Sequence, residues 1–258
     1  MLLYANGDSH LAATYKYPGD EHPILDQYEM SFAGLLAKRH GLDYINESVA
    51  GCSNNRIIRT SKEFLKDKDP ENTLVLIGWS TFERTEWYID GVWHQICGES
   101  MYEYNFREEL HPPGFDKEFW SKNGDAWKTL SYMWNTYRSR IMESDEPNSQ
   151  ISNCNTLYVS RSLEFKYYIR EFSEWLTDRG FRHMFMHLDG QFWGGELFEN
   201  DCNNAVWLYN NPYDENISFT CKSKSLNHKP DQHYHFSSEA HKDYANFIEQ
   251  EFINKLLK

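Results

Sequence analysis

Two side chains at opposite ends of the sequence can share one proton. Ser9 lies in Ala5-Asn6-Gly7-Asp8-Ser9-His10-Leu11-Ala12, and His235 lies in Asp231-Gln232-His233-Tyr234-His235-Phe236-Ser237. A serine hydroxyl is a weak nucleophile until a neighbouring base takes its hydrogen. Imidazole titrates near neutral pH without special tuning, so His235 is the natural base. A carboxylate then fixes the ring's tautomer and stabilises its charged form, and Asp231 is the candidate. Each residue also has a plainer reading. Serine is among the best helix N-caps. His235 can be a structural histidine in an exposed loop, and His233 and His241 read as structural or surface residues. A metal held by Asp231, His233 and His235 is the weakest alternative.

The elements that must position these groups alternate along the chain. Leu2 to Ala5 is a short apolar run ended by Asn-Gly-Asp, as expected of a buried strand feeding a turn. A helical pattern follows over residues 28–37, stopped by Gly41, then a strand at Leu42 to Ile45 and a helix at Ile57 to Leu65. Thr73 to Gly78 is the clearest buried strand. Trp87 to Trp93 carries the Asp90-Gly91 signal of a tight hairpin. Trp127, Leu130, Trp134, Tyr137 and Ile141 share a helix face. A further helix spans Leu163 to Leu176, a strand His183 to Leu188, and an amphipathic helix Ser238 to Leu257. Such alternation predicts an α/β fold, a mainly parallel sheet with helices on both faces. The expectation is one domain over 1–258 with an insertion or lid at about 85–155.

Composition narrows the partners. The chain has 258 residues, 40% hydrophobic and 25% charged, as in an ordinary globular protein. A net charge of −13 with no basic run argues against nucleic acid. No apolar stretch approaches a membrane span. The five cysteines are scattered and contain no C-x-x-C pair, which reads as reduced thiols. No signal peptide is apparent, so a cytoplasmic location is expected. Aromatics reach 16%, with nine Trp and seventeen Tyr, enough to line a binding surface as well as a core. The sequence does not fix the oligomeric state.

Ligands in such sheets bind beyond the carboxyl ends of the strands, and four motifs fall there. They are Gly7-Asp8-Ser9, Asn46-Glu47-Ser48-Val49-Ala50-Gly51, Gly78-Trp79-Ser80-Thr81 and the segment Asp231 to His241. Their order resembles the SGNH hydrolases, the GDSL esterase/lipase superfamily. That family is marked by an amino-terminal Gly-Asp-Ser, a glycine after the second strand, a Gly-x-Asn-Asp after the third and an Asp-x-x-His before the last helix. The resemblance implies a three-layer α/β/α, flavodoxin-like fold and a catalytic triad of Ser9, His235 and Asp231. Main-chain N–H groups of Ser9 and Gly51 are the expected oxyanion donors, since glycine allows close approach. A tight turn is the plainer role of Gly51.

The pattern breaks in two places. The family's third oxyanion donor is an asparagine, where this chain has Ser80; its hydroxyl, or Asn54 or Asn55 reaching in, would have to compensate. The family's acid stands three residues before histidine, where this chain has Gln232; Asp231 stands four before. Arg84 is a candidate substrate contact, although a solvated pair with Glu86 is the plainer reading, and Arg56 has similar standing. The expected function is that of a serine esterase acting through an acyl-enzyme on Ser9, on a small-molecule or carbohydrate ester such as an O-acetyl group, with no cofactor. The alternative is a weakly active or non-catalytic SGNH-fold protein that binds a ligand or belongs to a virion. The segments Gly51 to Ile57 and Gly78 to Glu86 are similar to phage-encoded members. A nucleotide-binding flavodoxin-like domain is disfavoured, because no G-x-G-x-x-G is present.

Overall fold

The computed structural model describes residues 1–14, 27–81, 84–89, 92–96, 154–188, 217–231 and 235–258. Four strands form one parallel sheet: β1 (Leu2–Asn6), β2 (Asp43–Asn46), β3 (Thr73–Trp79) and β6 (Arg182–His187), in the order β2-β1-β3-β6. Two more, β4 (Thr85–Ile89) and β5 (Val92–Ile96), pair antiparallel as a separate hairpin. The expected Asp90-Gly91 turn lies outside the described residues. So do His233, the helix at Trp127 to Ile141 and most of the expected insertion.

The side-chain period of two sorts the strands onto two cores. Leu3, Ala5, Leu74, Leu76, Met184 and Met186 face α1 (Phe32–Arg39), α4 (Phe219–Ser225) and α5 (Ser238–Phe252). Tyr4, Val75, Ile77, Trp79 and Phe185 face α2 (Asn54–Leu65) and α3 (Cys154–Asp178). The result is three layers, helices over sheet over helices. All seven residues of β3 are buried, which explains why its sequence is apolar without alternation. In the second core Trp79 meets the edges of Phe165, Phe172 and Phe185 with ring centroids 5.1–6.2 Å away.

Helix boundaries differ from the sequence pattern where side chains cap them. Residues 28–30 form a separate 3-10 turn, and α1 starts only at Phe32, because Ser31 is extended and its Oγ accepts the Gly34 N–H at 3.0 Å. Ser53 does the same for α2 through the Arg56 N–H, so that helix begins at Asn54 rather than Ile57. The last helix is α-helical to Phe252 and widens into a π turn at Ile253–Leu257. Among the described residues no helix is long and apolar enough to cross a membrane.

Candidate active site

The carboxyl ends of β1, β2 and β3 carry the three turns singled out in the sequence. After β1, the Leu11 and Ala12 N–H groups donate to the Asp8 carbonyl and Thr14 N–H to that of Ser9, winding residues 8–14 into tight turns. Gly7 is required there. A Cβ at this position would lie 2.9 Å from the Gly78 carbonyl oxygen and from the Leu11 side chain, so only glycine lets β1 and β3 exit side by side. Ser9 and His10 are buried at 5% and 8% exposure, in the lip of the sheet. The local side-chain cap is made by Asp8, whose Oδ1 accepts the His10 N–H at 3.0 Å.

The turn after β2 hangs on the same backbone. Val49 N–H donates to the Gly7 carbonyl at 3.2 Å, and the Cys52 thiol donates to it at 3.0 Å. Gly51 sits between these anchors with φ +71, a left-handed conformation that favours glycine. Burial pushes the Cys52 thiol up to about 12, so it is a structural donor, not a nucleophile.

Ser80, Asn54, Arg84 and Asp8, the residue before Ser9, form a hydrogen-bonded network. Ser80 Oγ donates to Asp8 Oδ2 at 2.9 Å. Arg84 Nη1 donates to that oxygen at 3.0 Å and to Ser80 Oγ at 2.6 Å. Asn54 clamps the Ser80 backbone, its Oδ1 accepting the Ser80 N–H at 2.8 Å and its Nδ2 donating to the Ser80 carbonyl at 2.8 Å. Burial would raise the Asp8 carboxyl, but the charges of His10 and Arg84, the His10 N–H and the Ser80 hydroxyl outweigh it and hold the group below its usual range. The Ser80 hydroxyl hydrogen and the Asn54 amide hydrogens therefore already have acceptors within the fold. Arg84 does not pair with Glu86 as the sequence suggested. It reaches Asp8, and Glu86 pairs with Arg59, since each finds a buried or half-buried opposite charge on a neighbouring element.

The loop before α5 brings His235 to this rim. Its ring lies edge-on to His10 with centroids 5.9 Å apart, and His10 also packs against Phe219 and Phe236. His235 is buried at 8% exposure, not displayed in an exposed loop. Asp231 and His235 close their loop reciprocally. Asp231 Oδ1 accepts the His235 N–H at 2.9 Å, and the Asp231 N–H donates to the His235 carbonyl at 2.8 Å. The other carboxylate oxygen, Oδ2, stands 3.7 Å from His235 Nδ1, close enough for charge attraction and longer than a hydrogen bond. His241 is a core residue. It stacks on Phe219 at 4.5 Å and its Nδ1 accepts the Phe32 N–H, while burial pushes its pKa down to about 3. Among the described residues no cluster of His, Cys, Asp and Glu could hold a metal.

Sequence reasoning passed over Asp8 and His10. Asp8 stands two residues before the amide it caps, a spacing that was readable. Its side-chain partners, 72 and 76 residues away, were not.

A family of unknown function, DUF6071, matches residues 19–141, just under half of the chain. No curated protein matches the sequence. Among solved structures, TesA is similar at 12% identity and TM-score 0.50, over 99% of this chain and 100% of TesA. The fold is SGNH hydrolase-like. Similar at lower TM-scores are the acetyl xylan esterase Est2A from the rumen bacterium Butyrivibrio proteoclasticus and the psychrotrophic esterase EstA from Pseudoalteromonas sp. Est2A is 12% identical, with 98% of this chain and 64% of that one covered at TM-score 0.46. EstA is 10% identical, with 98% and 95% covered at TM-score 0.41.

Proposed function

We propose that this chain is a serine esterase of SGNH type, with Ser9 as nucleophile, His235 as base and Asp231 as the carboxylate behind it. One observation carries the reading: the Gly7-Asp8-Ser9 turn and the Asp231–His235 loop, from opposite ends of the sequence, meet at one rim, with the His10 ring 5.9 Å from that of His235. In this mechanism Ser9 Oγ attacks the ester carbonyl carbon while its hydrogen passes to His235 Nε2. The tetrahedral oxyanion is held by the Ser9 and Gly51 N–H groups. Its collapse breaks the ester C–O bond, and the alcohol leaves with the proton from His235. Water then gives a proton to His235, attacks the acyl carbon and frees the acid, and the proton returns to Ser9. Asp231 stabilises the imidazolium, its 3.7 Å separation tightening as charge develops on the ring.

Ser80 and Asn54 are occupied elsewhere, so the two main-chain donors act without a third. Loss of one oxyanion donor costs about 2.7–4 kcal/mol in the transition state, or a rate lower by roughly 10²–10³. A slow esterase is the outcome, and a carbohydrate ester is the substrate class that the aromatic content favours. A fluorophosphonate probe tests the reading. Ser9 should be labelled, Ser9→Ala should abolish the adduct, and His235→Ala should slow it strongly. The same Ser80–Asp8 bond favours a second reading, a ligand-binding protein without useful turnover, and an unlabelled but folded chain would establish that one.

A further inference from the structure

A groove of about 350 Å³ opens between α2, α3 and the β4–β5 hairpin. Asn55, Arg59, Glu86, Trp93, Tyr168 and Glu171 line it. At its hairpin side two rings remain in solvent: Trp93 is 41% exposed and Tyr88 61%, with centroids 5.0 Å apart. Exposed aromatic pairs on a soluble chain mark binding surfaces more often than isolated ones do. We propose that this groove binds a neutral oligosaccharide, the carbohydrate part of the ester whose cleavage Ser9 would perform. The proposal rests on the esterase reading for the chemistry, while binding in the groove does not need the nucleophile.

The lining is held rigid in a way that suits a sugar. Arg59 grips Glu86 through two bonds, Nε to Oε1 and Nη2 to Oε2, both 2.8 Å, and its guanidinium lies 4.6 Å over the Trp93 ring. That fork fixes one side of the indole platform on a buried carboxylate. A pyranose presents an apolar C–H face and a rim of hydroxyls. The first packs on an indole or phenol ring, and the second needs planar amide and carboxylate partners of the kind that Asn55 and Glu171 supply. Charge selects against an acidic glycan. Arg59 is balanced by Glu86 and Glu171 by Lys62 at 3.0 Å, and the whole chain carries −13. A lipid tail would require a mostly aliphatic wall, and Ile58 is the one aliphatic residue among those lining the groove.

Short stretches of chain link the groove to the candidate active site. Asn55 follows Asn54, whose amide clamps Ser80, and Glu86 is two residues beyond Arg84, which reaches Asp8.

The experiment is calorimetric titration of the intact wild-type chain with unesterified xylotetraose, cellotetraose, mannotetraose and chitotetraose, and with tetragalacturonate as the anionic counterpart. Saturable binding of at least one neutral tetrasaccharide is expected. Trp93→Ala should weaken it at least tenfold, with Asn55→Ala as the second variant if the hairpin change unfolds the protein. Binding of none of the neutral sugars, a preference for tetragalacturonate, or undiminished binding in a folded variant would overturn the proposal. Fluorophosphonate labelling of Ser9 judges the esterase reading separately. Sugar binding without labelling removes only that reading, and labelling without sugar binding removes only the groove.

Discussion

Asp8 and Ser80 lie 72 positions apart in the chain, yet the Ser80 hydroxyl reaches Asp8 Oδ2 at 2.9 Å, and Arg84 closes the triangle from outside. Ser80, where the sequence resemblance led one to expect an oxyanion asparagine, thus helps to bury a carboxylate directly before the candidate nucleophile.

Arg84→Ala should be strongly destabilising. Asp8 is 1% exposed, and removing Arg84 takes from this buried charge one of the two cationic groups, His10 and Arg84, that hold it, at a cost of about 3 kcal/mol. Urea unfolding should register the loss as a lower midpoint at an unchanged slope. Asp8→Asn in the Arg84→Ala background should recover part of it, because the less fully compensated charge is then gone.

Acid should weaken the fold through Asp8 and through buried histidines, His241 and His187 among them, all with the same sign. The folded Asp8 carboxyl lies below its usual value, so its stabilising contribution is complete above the unfolded carboxyl range near 3.9 and disappears as pH falls through the lower folded value. His241, neutral in the fold with a pKa of about 3, is protonated more readily in the unfolded chain, near 6.5. Its contribution is complete above that range and falls by up to tenfold in the folding constant per pH unit down to about 3. Denaturation midpoints at pH 7, 5.5 and 4.5 should decline progressively. His241→Phe should flatten that decline relative to its own stability at pH 7.

Asp231→Asn separates shape from charge. Asparagine Oδ1 still accepts the His235 N–H, so the loop should persist in circular dichroism and thermal melts. The imidazolium loses its counter-charge, and the esterase reading expects kcat to fall by roughly 10²–10⁴ with KM little changed. An unaltered kcat would remove Asp231 from the mechanism.

Gly51→Ala places a Cβ on a backbone at φ +71, which costs about 1–2 kcal/mol. Relaxation of that turn would move an N–H assigned to the oxyanion. Fluorophosphonate labelling of Ser9 should therefore slow by more than the loss of stability explains, and equal labelling rates would assign Gly51 to the turn alone.

How far the sequence could be read depended on the range of each interaction. The buried strand Thr73–Trp79 stood out because a strand covered on both faces needs nearly unbroken apolarity. The starts of α1 and α2 were displaced by Ser31 and Ser53, local caps whose effect competes with the hydrophobic period. The Gly7-Asp8-Ser9 and Asp231–His235 segments were recognisable from order and type. What Ser80, Asn54 and Arg84 do was not, since each is fixed by a partner on another element: Asp8 for two of them, the Ser80 backbone for the third. Likewise, proximity along the chain suggested an Arg84–Glu86 pair, whereas packing gave each a distant counter-charge.

β1 has only five residues; alternation alone sends Leu3 and Ala5 to one hydrophobic core and Tyr4 to the other, and the strand runs straight into the turn bearing Ser9. Sliding it by a single position would trade Tyr4 for its neighbours on opposite sides of the sheet and shift the hydroxyl by about 3.3 Å, more than a hydrogen bond is long. Strand alignment is therefore also the gauge that sets how far Ser9 stands beyond the sheet.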